Sequence, residues 1–215
     1  MKTDWAAQAR QLSNAAHWAE GVLFGIIGFL AFLQALGVIG GALLYLYPAL
    51  LVMAGLLIPI ILFGHRHEGM HGGHLAVLDD PQQRQHLTMA GLVLIAGVTE
   101  IARLAGILST PLFGYVWPAV LVIIGVLFTR HTQHGDHAAM IQATRFHRLL
   151  GVVLILAGLA KAMQVWEGDP RGLIAFVWAL ILLVAAGLLI TYREPVGAYT
   201  NIAEIYDESN KHTGH

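Results

Sequence analysis

Cysteine is absent from this chain of 215 residues, and charge is scarce: Asp, Glu, Lys and Arg together make up 12% of it. The first absence removes any disulfide framework, any thiolate zinc site and any thiolate-held iron–sulfur cluster. The second leaves too little polar surface to cover a soluble globule. A formal net charge of -1 gives no reason to expect nucleic acid as a partner. No compact basic segment precedes the first apolar run, and further runs follow it. That run is therefore expected to stay as a transmembrane helix rather than to be removed as a signal peptide.

What the chain has in quantity is apolar sequence, 57% of its residues, with a mean hydropathy of +0.66. Runs of about 17–25 mainly apolar residues are long enough to cross a bilayer as helices. Six can be placed, near 18–37, 42–64, 87–107, 112–129, 149–166 and 172–191. The expected fold is all-α, a polytopic integral membrane protein with the lipid bilayer as its first partner. Residues 1–16 are expected to form an interfacial segment, 17–193 a single six-helix domain, and 194–215 a polar, mobile tail. With six spans, both termini share one side with the connections 65–86 and 130–148. That side carries Lys2, Arg10, Arg66, Arg84, Arg130, Arg145, Arg148, Arg193 and Lys211, whereas the opposite loops hold only Arg171. Positive residues favour the cytoplasmic side, so the termini are expected in the cytoplasm and the protein in the inner membrane.

All twelve histidines (17, 65, 67, 71, 74, 86, 131, 134, 137, 147, 212 and 215) fall on that same face. Three of them open a repeat. From His17, His86 and His147, a small residue follows at plus four (Gly21, Ala90, Gly151) and a glycine at plus eleven (Gly28, Gly97, Gly158). A long polar residue stands at plus seventeen (Gln34, Arg103, Gln164), and an aromatic anchor begins the next helix in Tyr47-Pro48, Trp117-Pro118 and Trp178-Ala179. The spacing predicts three helical hairpins, about 17–74, 86–137 and 147–193, related by a pseudo-threefold internal repeat. Positions 0, +4, +7, +11 and +14 share one helical stripe, and its small residues predict a close packing seam joining helices 1, 3 and 5. Position +14 is Ala31, Glu100 or Lys161, which makes Glu100 and Lys161 a candidate intramembrane charge pair. The alternative is Glu100 paired with Arg103 while Lys161 reaches the far headgroups.

Two histidine-rich stretches follow helices 2 and 4. The first is His65-Arg-His-Glu-Gly-Met-His-Gly-Gly-His74, the second His131-Thr-Gln-His-Gly-Asp-His137, and the two share His-x3-Gly-x-His. Neutral imidazole is the commonest ligand for borderline transition metals. The expected metal ligands are His65, His71, His74, His86, His131, His134, His137 and His147, with Glu68 and Asp136 as further ligands or as acceptors fixing the imidazole tautomers. Met70, Met89 and Met140 would soften a copper site, and Fe, Cu or Zn all suit the donors. His212 and His215, on the tail, are excluded because ordering them costs entropy.

The favoured function is transition-metal binding at the cytoplasmic face, for handling, sensing or redox. The spans lack His and Asp, which argues against conduction of the metal. The placement of His67-x3-His71 and His131-x2-His134-x2-His137 at the ends of helices 2 and 4 resembles that of the histidine boxes in membrane non-haem diiron oxygenases and desaturases. Adjacent His-His pairs of that family are missing here. A diiron-type oxidase or oxygenase is thus the alternative. A haem-b electron-transfer subunit, with His86 and His147 as axial ligands, or an accessory subunit of a larger membrane complex or homo-oligomer, is the third reading.

Overall fold

A computed structural model describes residues 5–64, 81–130 and 136–198. These residues are helical, with no strand among them, and six helices are long and apolar enough to cross a membrane. They are α1 (Trp5–Ala35), α2 (Leu46–Gly64), α3 (Pro81–Leu104), α4 (Val116–Thr129), α5 (His137–Glu167) and α6 (Leu173–Thr191). Short 3-10 turns at Gly41–Tyr45 and Pro111–Tyr115 lead into α2 and α4.

Each span matches an expected apolar run, but α1 and α5 are longer, at 31 residues apiece. That is about 46 Å at 1.5 Å per residue, against a hydrocarbon core of about 30 Å. The expected interfacial segment before His17 is continuous with α1, because an alanine-rich stretch without Gly or Pro offers nothing to break the helix. Pro81 opens α3 as its missing N–H allows, and Pro59 lies inside α2. At the other ends, Gly37, Gly106 and Gly168 adopt φ of 73°, 75° and 68°. Their amides donate to the carbonyls of Gln34, Arg103 and Gln164, so the long polar residue and the left-handed glycine together finish each odd-numbered helix.

The helices pack in cyclic order, each against its neighbours in the chain, with α6 returning to α1. The closest pairs are α1–α6, α2–α3 and α4–α5. Glycines explain them. A Cβ on Gly21 would lie 2.8 Å from the amide nitrogen of Ile190 on α6, and one on Gly97 2.9 Å from the Pro48 carbonyl oxygen on α2. On α5, one at Gly151 would lie 2.5 Å from the Gly125 carbonyl oxygen, and one at Gly158 2.7 Å from that of Pro118, both on α4. The small-residue stripe therefore packs on α6, α2 and α4, which corrects the expected seam among helices 1, 3 and 5. Small residues permit close approach without choosing the partner. The interior holds Ile27, Leu51, Leu121, Leu150, Leu154 and Leu182, while Ile60, Ile95, Val98 and Val184 face outward as a lipid-facing surface requires.

Candidate functional site

One end of the ring gathers one histidine from each odd-numbered helix, His17, His86 and His147. His147 is buried at 2% exposure, and the His17 ring meets it edge to face with centroids 5.8 Å apart. Phe128 stacks on His147 at 5.6 Å from α4, and Phe146 touches it edge-on at 5.5 Å. His86, half-buried on α3, lies within electrostatic range of both His147 and Glu194. Two of these imidazoles are held the same way. Nδ1 of His17 donates to the Ser13 carbonyl at 2.7 Å, and Nδ1 of His147 to the Ala143 carbonyl at 2.8 Å. A carbonyl only accepts, so Nδ1 carries the hydrogen and Nε2 of the neutral ring is the acceptor atom.

The segment after α6 closes this end. Tyr192 stacks on Phe146 at 4.1 Å and touches His17 at 4.6 Å and His147 at 5.7 Å. Two residues on, Glu194 is buried; its carboxylate accepts from Ser13 Oγ at 2.5 Å and from the Tyr192 hydroxyl at 3.2 Å. Its amide donates to Asn14 Oδ1 at 2.7 Å, Arg10 donates to the Val196 carbonyl at 2.9 Å, and the Asp136 amide donates to the Gly197 carbonyl at 3.0 Å. Burial pushes the Glu194 carboxyl up from its ordinary value, against the hydrogen bonds and the nearby His86, which pull it down.

Of the expected ligands, His86 and His147 are brought to this end, and His137 stands exposed at the start of α5. His65, His71, His74, His131 and His134 lie outside the described residues, as do Glu68, His212 and His215. Among the described residues no group of three or more His, Cys, Asp or Glu is placed to hold a metal ion. Asp136, expected near the metal, caps α5: its Oδ1 accepts from the Ala139 amide at 2.8 Å. Sequence reasoning missed Glu194 and Tyr192. Their only signal was an ionisable and an aromatic residue just past the end of α6, where the other even-numbered helices carry histidines.

At the opposite end, Glu100 is buried at 3% and takes a two-pronged ion pair from Arg103, Nε to Oε2 at 2.8 Å and Nη2 to Oε1 at 2.6 Å. The Tyr47 hydroxyl also donates to Oε1. Lys161, buried at 8%, donates to Gln164 Oε1 at 2.6 Å and sits 4.4 Å above the Trp178 ring. Glu100 and Lys161 are within electrostatic range of each other, but their direct partners are these.

Comparison with protein-family models, with curated proteins and with solved structures found no match to this chain.

Proposed function

We propose that the chain is an inner-membrane protein of three hairpins, repeated about a pseudo-threefold axis, that binds a transition metal at its cytoplasmic face. The repeat is supported by the cap glycines 37, 106 and 168 and by Gly97 and Gly158 meeting Pro48 and Pro118 alike. The orientation rests on the distribution of Lys and Arg. Metal binding rests on one observation above all: His17, His86 and His147 converge beside a buried carboxylate, at the end of the ring where α2 and α4 deliver both histidine-rich stretches.

The donors suit the group. An imidazole whose Nδ1–H is fixed on a carbonyl presents Nε2 in a defined direction, the usual support for a metal-ligating histidine. The described residues do not complete a site by themselves, so His65, His71, His74, His131, His134 and His137 are assigned the remaining coordination. His86 and His147 supply ligands from α3 and α5, and Glu194 serves as ligand or as acceptor for a ligating ring. Fe, Cu and Zn are the candidate ions.

Elemental analysis of detergent-purified protein, with an optical spectrum, tests this reading. We expect a transition metal in fixed ratio to protein, strongly reduced by His71→Ala and, separately, by His137→Ala. Deleting the residues after Asn210 should leave it unchanged. Full metal in both single variants, or none in the wild type grown in metal-replete medium, would sink the proposal. Iron with oxidase activity would select the diiron-type enzyme instead, and a Soret band the haem-b subunit.

A further inference from the structure

The end of the ring away from the histidines contains two helix crossings built to one plan. Where α3 crosses α2, a Cβ on Gly97 would lie 2.9 Å from the Pro48 carbonyl oxygen and 2.8 Å from the Val52 amide nitrogen. Where α5 crosses α4, a Cβ on Gly158 would lie 2.7 Å from the Pro118 carbonyl oxygen and 3.0 Å from the Val122 amide nitrogen. The residue before each proline is a buried aromatic, Tyr47 or Trp117, and the third residue after each glycine is a buried ionisable group, Glu100 or Lys161. At the α2–α3 crossing these two positions satisfy each other, the Tyr47 hydroxyl donating to the Glu100 carboxylate.

At the α4–α5 crossing the same two positions hold two donors. An ammonium and an indole N–H have no lone pair to offer, so Lys161 and Trp117 cannot bond to one another. Trp117 is only 1% exposed, and its Nε1 has no hydrogen-bond partner among the described residues. Lys161 makes its contacts with the neutral Gln164 amide and the Trp178 ring. Glu100, the carboxylate within electrostatic range of Lys161, is already engaged by Arg103 and Tyr47. Counted formally, the cluster of Glu100, Arg103 and Lys161 carries one surplus positive charge. Buried donors are ordinarily paired and intramembrane charges ordinarily matched.

We propose that a small monovalent anion binds at the α4–α5 crossing, accepting from Trp117 Nε1 and from the Lys161 ammonium. The ligand must accept from both donors, bring one negative charge, and fit beside helices in backbone contact. A halide or a short carboxylate meets those conditions. The proposal does not depend on the histidine end of the molecule.

The five tryptophans give indole N–H resonances that can be followed in the full-length protein in detergent. At constant ionic strength, replacing gluconate by chloride or by acetate should move one resonance saturably, the one missing in Trp117→Phe. Lys161→Met should weaken the apparent affinity by about tenfold or more. Movement with chloride alone identifies a halide site, and with acetate alone a carboxylate site. No saturable movement with either anion, equal movement of all the resonances, or an unchanged affinity in Lys161→Met overturns the proposal. Should either variant fail to fold, crystals of the unsubstituted protein grown in bromide decide: one anomalous peak within hydrogen-bond distance of Trp117 Nε1 is expected, and its absence is fatal.

Discussion

His17 and His147 begin on helices that do not adjoin in the ring, yet their rings meet edge to face, 5.8 Å between centroids. Tyr192 joins them, touching both from the end of the intervening α6. The contact therefore depends on three helices at once. Because both Nδ1 atoms are tied to carbonyls four residues upstream, each ring is fixed before anything binds to it.

Glu194 makes the stability of this end depend on pH. Its carboxyl is raised from an ordinary value of 4.5 by burial, so the folded chain keeps the proton after the unfolded chain has lost it. Below that value both forms are protonated and the contribution is complete. As pH rises from about 4.5 through the folded value, stability falls by up to about 1.4 kcal/mol per pH unit, until the folded carboxyl ionises as well. Glu194→Gln should flatten that fall. Thermal midpoints in detergent with EDTA, from about pH 4 to about pH 8, check it; equal slopes in both proteins would contradict the assignment.

Gly151 and Gly91 are both helical glycines with opposite surroundings. A methyl on Gly151 meets the Gly125 carbonyl oxygen at 2.5 Å, a backbone atom that cannot swing aside, whereas nothing lies within 4 Å of one on Gly91. Gly151→Ala should cost about 1–3 kcal/mol by forcing α4 and α5 apart. Gly91→Ala should be neutral or gain about 0.5–1 kcal/mol of helix propensity. Denaturation midpoints of the two variants check the contrast, and equal values would show that the α4–α5 crossing is not set by this contact.

The six helices were legible in the sequence because length and hydropathy alone decide what can span a bilayer. The face carrying Gly97 and Gly158 was legible too, since glycine at a fixed period marks close approach. What covers that face was not: periodicity identifies a stripe, but α2 and α4 were chosen by the closure of the whole ring. The lengths of α1 and α5 were missed because hydropathy falls off before the helix does. Glu194 was missed for another reason. Its hydrogen-bond partners are Ser13 and Asn14, some 180 residues earlier in the chain, and no local pattern encodes such a partner.

The orientation can be tested in the cysteine-free background. Cysteines introduced at Ser109 and at Thr132 fall in connections on opposite sides of the proposed topology. An impermeant thiol reagent applied to intact cells should label Ser109→Cys and spare Thr132→Cys. The reverse pattern would turn the protein over in the membrane and put the histidines outside.

Glu100 and Lys161 should prove energetically coupled even though their direct partners are Arg103 and Gln164. In a low-dielectric interior each still feels the other, and removing Glu100 takes the cluster further from neutrality whereas removing Lys161 brings it closer. Glu100→Gln leaves Arg103 and Lys161 both uncompensated, whereas Lys161→Met leaves Glu100 with its ion pair intact. The first should therefore be the more damaging, softened because the Arg103 side chain is 38% exposed and can turn toward water or headgroups. In the double variant a single cation remains, and the measured loss should be less than the sum of the two by about 0.5–3 kcal/mol. Thermal or denaturant midpoints of the four proteins supply the cycle, best run in gluconate. Chloride should shrink the coupling, because an anion held by Lys161 takes over the role of the distant carboxylate. Additive losses in gluconate would mean that Gln164 and the Trp178 ring alone make the Lys161 charge tolerable in the membrane.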